Sequence, residues 1–172
     1  MESQQQVVEE QKQTSQQDNQ SQQKVINFYK SDDKETGHMS NFSRHQLEYK
    51  GKQWATSEHA FQVQKFYDDE IQERIRACKT PMLAAKLGRD RTLPRVDNWD
   101  GVRNEIMFEI LVAKFTQNEN IKQKLLATGD AILVEHTAND DYWGDNGDGT
   151  GQNVLGKLLM RLREKLMQDQ KL

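Results

Sequence analysis

The segment that most constrains this chain is 102–115, where Val102, Ile106 and Ile110, together with Met107, Leu111 and Phe115, recur at helical spacing. A stripe of that kind gains stability only when other elements cover it, so the spacing predicts the strongest core helix of the chain. Leu155, Leu158, Leu159, Leu162 and Leu166 stripe a final amphipathic helix in the same way. Shorter helices are expected at 68–78, where Ile71 and Ile75 lie four apart, and at 121–126, ended by Gly129. Another should start with Thr80 as cap and Pro81 in the first helical position, run through Leu87 and stop at Gly88.

Strand signals are few. Val25 to Tyr29 and Ala131 to Glu135 are short β-rich runs, and Leu47–Tyr49 and Lys52–Trp54 flank Lys50-Gly51 as a hairpin. Together these predict an α+β fold: one mostly helical domain over 25–170 with a small β-sheet of three or four short strands. Residues 1–24 are a Gln-rich tail almost without apolar side chains, expected to be a disordered and dispensable extension.

Composition narrows the function classes. At 172 residues the chain is long enough for one core. Its mean hydropathy of -0.98 is polar for a compact enzyme, but much of that polarity lies at the ends. A net charge of -3 and a pI near 5.8 provide no global basic field, so a nucleic acid would have to be gripped locally. The single cysteine, Cys78, excludes an internal disulfide or a multi-cysteine zinc site and suits a reducing compartment. No run approaches the ~20 apolar residues of a membrane span, and no signal or transit pattern opens the chain. A cytoplasmic protein is expected, with the nucleus as the alternative and no membrane partner.

The chemistry-bearing stretch is Trp54 to Lys65, WATSEHAFQVQK. Thr56 and Ser57 supply N-cap hydroxyls, and with Ser57 as cap Glu58 lies in the first turn, where the helix dipole favours negative charge. Counting by three and four from Glu58 reaches Phe61, Gln62 and Lys65, so a carboxylate, an amide and an ammonium share one side. Phe61 and Phe66 read as packing. The helix is open to two readings, an exposed salt-bridge ladder or one wall of a site.

The loop from Asp140 to Asn153 invites readings that fail. As an EF-hand it would begin at Gly144 and end at Leu155, neither of which ligates calcium. As a phosphate cradle it lacks a P-loop lysine, and Asp145 and Asp148 would repel the anion. Trp143 in this loop and Trp99 between Asn98 and Asp100 are either stacking platforms for a planar ligand or structural anchors. Arg89 and Arg91 follow a helix end and could grip a phosphate or serve the surface. The four histidines lack metal-site spacing and no serine-hydrolase elbow occurs, so neither a metal nor another cofactor is expected. What remains is acid–base chemistry at a sugar attached to a planar base.

At this point a resemblance is visible. INFY at 26–29, SNF at 40–42, TSEHAFQVQKF at 56–66, PMLAAKLGRDR at 81–91 and LVEHTANDDYWGDNGDGTGQNVLGKLLMRLRE at 133–164 closely resemble the NADAR family, nearest to its bacterial YbiA-type members. The resemblance runs from about Val25 to Met167 and implies an α+β N-glycosidase. It implies as substrates either the ribosylaminopyrimidine 5-phosphates that open riboflavin biosynthesis, releasing ribose 5-phosphate, or ADP-ribosylated guanine in nucleic acid. Both bond ribose C1 to an exocyclic amine. Carried over by position, it implies catalytic roles for Glu58, Lys65 and Asp145 and substrate binding by Asn41, Arg89, Trp99 and Trp143. Two routes are open, a water activated by Glu58 or a Schiff base formed by Lys65. The competing class is a module that binds ADP-ribose or a nucleotide without cleaving it, which would make no demand on Glu58 or Lys65.

Overall fold

The computed structural model describes residues 23–171, so nearly all of the Gln-rich tail expected over 1–24 lies outside the described residues. The architecture is α+β. The strands are β1 (Val25–Phe28), β2 (Leu47–Tyr49), β3 (Lys52–Trp54) and β4 (Ile132–Glu135). The helices are α1 (Ser57–Val63), α2 (Asp69–Arg76), α3 (Pro81–Gly88), α4 (Trp99–Gln117), α5 (Glu119–Leu126) and α6 (Val154–Asp169). No described helix is long and apolar enough to cross a membrane.

The expected single small sheet is in fact two pairs. β1 lies parallel to β4, with Val25 opposite Ile132 and Phe28 opposite Glu135. β2 and β3 form the hairpin, turning on Lys50 and Gly51 at φ 52° and 73°, backbone angles whose twist suits a two-residue connection. The outer edge of β2 is taken by a side chain: Gln117 accepts from the Glu48 amide at 2.7 Å and donates to the Glu48 carbonyl at 2.9 Å. An edge satisfied this way offers no place to another strand, and the hairpin stays separate.

α4 supplies the core as its spacing demands, but on a rotated face. Met107, Ile110, Leu111, Lys114 and Phe115 are buried, whereas Val102 is 38% exposed. Leu155, Leu158, Leu159, Leu162 and Leu166 of α6 are all buried, as their stripe predicts. α6 lies on β4 so closely that a Cβ at Gly156 would collide with the Leu133 carbonyl, and a side chain there would push helix from strand. β4 is therefore held on α6 two residues before its last residue, Glu135.

Helix starts follow hydrogen bonds that are partly legible in sequence. Thr56, not Ser57, caps α1, its hydroxyl accepting from the His59 amide at 3.4 Å. Thr80 caps α3, with Pro81 following as expected. Gly88 is the last residue of α3 rather than its stop, and it is kept small by contact with the Gln62 side chain. α1 ends at Val63, so Lys65 sits in the turn after the helix, its amide bonded to the Gln62 carbonyl at 3.3 Å.

Candidate active site

All seven residues of α1 are buried, including Ser57, Glu58, His59 and Gln62. A solvated salt-bridge ladder is therefore ruled out. One side of the helix forms the wall of a cavity of about 1030 Å³, to which it contributes Glu58, Phe61 and Gln62. Lys65, Arg89 and Met107 continue that wall, and Asn41, Glu135, Asp140 and Trp143 face the same space. His59, on the other side, is tied to Thr56 at 2.8 Å and to the Cys78 carbonyl at 3.0 Å, a structural post between α1 and the end of α2.

Glu58 is 6% exposed and accepts a 2.7 Å hydrogen bond from Gln62 one turn along. Burial pushes its carboxyl above the usual range, while the Gln62 amide and the charges of Arg89 and Lys65 pull the other way. Its own amide donates to the Asn41 carbonyl at 3.1 Å, which docks the 40–43 loop against the start of α1. Lys65, 7% exposed, donates to the Gly88 carbonyl at 3.2 Å. Burial, assisted by Arg95, lowers its ammonium to about 8, against the attraction of Glu58. A fraction of Lys65 is thus neutral, and nucleophilic, near physiological pH.

Two buried acceptors on this wall, Asn41 Oδ1 and Gln62 Oε1, have no hydrogen-bond partner among the described residues. Beside the main cavity lies a smaller one of about 280 Å³, lined by Arg91, Arg95, Trp99, Asp100 and Arg103 and sharing Phe61, Lys65, Arg89 and Trp143 with the first. Phe61 stands between the two tryptophans, 5.1 Å from Trp99 and 5.4 Å from Trp143 by ring centres.

The sequence profile of the NADAR domain matches residues 27–167. The N-glycosidase YbiA of Escherichia coli is 51% identical over 142 residues, 83% of this chain and 88% of that protein. The chain belongs to the NADAR domain family. The solution structure of the Escherichia coli protein YbiA superposes with a TM-score of 0.81 at 49% identity, covering 87% of this chain and 88% of the other. A riboflavin biosynthesis protein of Vibrio vulnificus is 39% identical over 143 residues, 83% of this chain and 39% of that protein.

Within this NADAR domain the residues singled out from sequence fall into three groups. Asn41, Glu58, Lys65, Arg89 and Trp143 meet at the main cavity. Trp99 opens α4 and lines the smaller cavity instead. Asp145 stands apart. Its carboxylate accepts from the amides of Thr137 and Gly147 at 3.1 and 2.8 Å and pairs with His136 at 2.8 Å. The His136 hydrogen bond, with those two amides, holds its carboxyl below the usual range. It organises the 136–151 loop of the NADAR domain, its lone pairs are engaged there, and it does not line the cavity.

Sequence reasoning missed Glu135. It closes β4, its amide donating to Asn153 Oδ1 at 2.9 Å and its carbonyl accepting from the Asp145 amide at 3.0 Å. Burial, then Asp140, Glu58 and Asp145, push its carboxyl up to about 8. The available signal was a lone carboxylate at the end of an apolar strand, AILVE, immediately before the long loop. Phe61, read as packing, forms part of both cavities.

Proposed function

We propose that this chain hydrolyses the bond between ribose C1 and the exocyclic amine of a ribosylaminopyrimidine 5-phosphate of riboflavin biosynthesis, acting in the cytoplasm and releasing ribose 5-phosphate. It is an enzyme, an N-glycosidase of the NADAR family. The observation that carries the proposal is the meeting of Glu58 and Lys65, both nearly inaccessible, on one cavity wall with Arg89 at its edge. A binding module would have no need to bury an acid and an amine side by side, since each loses hydration on burial. The riboflavin biosynthesis relative supports the choice of substrate. We assign the activity to residues 25–170.

Glu58 stabilises positive charge developing at C1 and takes a proton from the attacking water. Arg89 binds the sugar phosphate, and Trp143 with Phe61 holds the ring. The lowered ammonium of Lys65 favours a second use of the same wall. When the aminal opens to an imine, the neutral Lys65 amine adds to C1 and expels the ring amine. The resulting Schiff base is released by water.

A second reading has one observation in its favour. The smaller cavity with Arg91, Arg95 and Arg103 could take a further anionic group, as removal of ADP-ribose from guanine in nucleic acid would require. One assay separates the possibilities. Purified protein is offered the ribosylaminopyrimidine 5-phosphate in one arm and an ADP-ribosylated guanine oligonucleotide in the other. Ribose 5-phosphate in the first arm alone is expected. Glu58→Gln should lower kcat by about 10²–10⁴-fold with the fold intact, and near-normal turnover in that variant would refute its role. Borohydride should trap a sugar adduct that is absent from Lys65→Arg. Turnover without any such adduct would leave the water route.

A further inference from the structure

Besides Glu58 the cavity holds another glutamate, Glu135, for which neither proposed route has a use. Glu135 enters from β4, while Glu58 enters from α1. Its backbone is fixed on both sides, by Asn153 and by the Asp145 amide, yet its carboxyl makes no hydrogen bond or ion pair among the described residues. A side chain anchored at its root and free at its tip is placed to meet a ligand. Departure of an amine from C1 also creates a need: the nitrogen takes the bonding electron pair and must gain a proton.

We propose that Glu135 is the acid of the reaction, donating its proton to the departing exocyclic amine. The inference rests on the N-glycosidase reading above and adds a residue to it. As the C1–N bond breaks, the electron pair goes to nitrogen and the Glu135 proton follows, leaving a carboxylate and a free amine. Water oxygen bonds to C1 and its proton goes to Glu58, after which solvent returns one proton from Glu58 to Glu135. On the Schiff-base route the same proton is needed when the amine is expelled by Lys65, so the requirement is common to both.

The charges around the two carboxyls divide the roles. Glu58 is countered by Arg89 and Lys65. The charged groups felt most by Glu135 are all acidic, Asp140 and Asp145 from the following loop and Glu58 from α1. The cavity's cations, Lys30, Arg44, Lys65 and Arg89, enter from other segments. Of the two glutamates in this cavity, the one surrounded by acids keeps its proton.

The test is a pH profile of ribose 5-phosphate release by the full chain and by Glu135→Gln, with Glu135→Asp as a second variant. In wild type, activity should fall as pH rises through about 8, the value at which Glu135 loses its proton. Deprotonation of Lys65 near the same pH acts in the opposite sense, since the Schiff-base route needs the neutral amine. Glu135→Gln should lower kcat by about 10²–10⁴-fold with KM little changed and without the alkaline limb. Glu135→Asp should be slower than wild type but keep the limb. Wild-type kcat or an unaltered limb in Glu135→Gln would overturn the assignment. A carbon-13 titration of the glutamate carboxyls reads the proton directly: a resonance titrating near 8 and absent from Glu135→Gln is expected. Titration of that resonance in the ordinary carboxylate range would also overturn it. Failure of wild-type protein to release ribose 5-phosphate would overturn the substrate reading and this assignment together, an outcome distinct from active wild type with an equally active variant.

Discussion

Lys114 shows how far a residue's role can depart from its type. It lies on the stripe side of α4 and is fully buried, donating to the His38 and Ser40 carbonyls at 2.7 and 3.0 Å. It thereby holds the loop that presents Asn41. Burial lowers its ammonium from the ordinary 10.5 to about 7, and the neighbouring His38 imidazole is held down to about 4, mainly by its own burial. The sign for stability follows. Between about 7 and 10.5 the unfolded chain binds the proton more tightly at Lys114 than the fold does, so this residue makes stability rise with pH there. Lys114→Met removes that dependence. The wild-type advantage in unfolding free energy over the variant should therefore grow between pH 7 and about 10, read by urea denaturation at each pH. An advantage that stays constant would mean that Lys114 titrates normally in the fold. A lysine among apolar neighbours reads in sequence as a solvated gap in the stripe, and only the placement of two loop carbonyls makes it core.

At the scale of elements, local signals located most pieces and tertiary contacts adjusted their ends. Thr80-Pro81 marked the start of α3 because cap chemistry is local. Asn98 starts α4 in the left-handed region at φ 55°, a choice that depends on neighbours, so the helix begins at Trp99 before the apolar stripe does. Strand pairing was the least legible, since β1 and β4 are joined only after nearly the whole domain has been threaded. The contact of α6 with β4 links packing to the site. Gly156→Ala should destabilise the fold by about 1–3 kcal/mol through overpacking against the Leu133 carbonyl. Because β4 carries Glu135 two residues further on, kcat should fall as well. A variant with unchanged melting temperature and activity would show that helix and strand have room to separate.

At the scale of the whole fold, two adjoining cavities among the described residues share Phe61, Lys65, Arg89 and Trp143. Their separation makes a prediction about substrate size. A single sugar phosphate needs only the main cavity and Arg89, so replacing Arg91, which lines only the smaller cavity, by Ala should leave turnover of the ribosylaminopyrimidine phosphate within about threefold. An ADP-ribosyl substrate carries more negative charge, and any activity on it should lose about tenfold or more in kcat/KM, the effect of about 1.4 kcal/mol per decade. Equal losses on both substrates, measured by initial rates, would mean that the smaller cavity serves the same phosphate as Arg89.

By itself the sequence determined the α+β class, the order of the elements, the core stripes of α4 and α6, and the stretch holding Glu58 and Lys65. These are written in periodicity, caps and local residue types, which act over a few neighbours. Only the tertiary structure decided that Asp145 organises its own loop, that Trp143 faces both cavities while Trp99 lines only the smaller one, and that Glu135 shares a space with Glu58. Those outcomes depend on which backbone amides, charges and rings meet after distant segments pack, and the charges facing each buried carboxyl then distinguish one from the other.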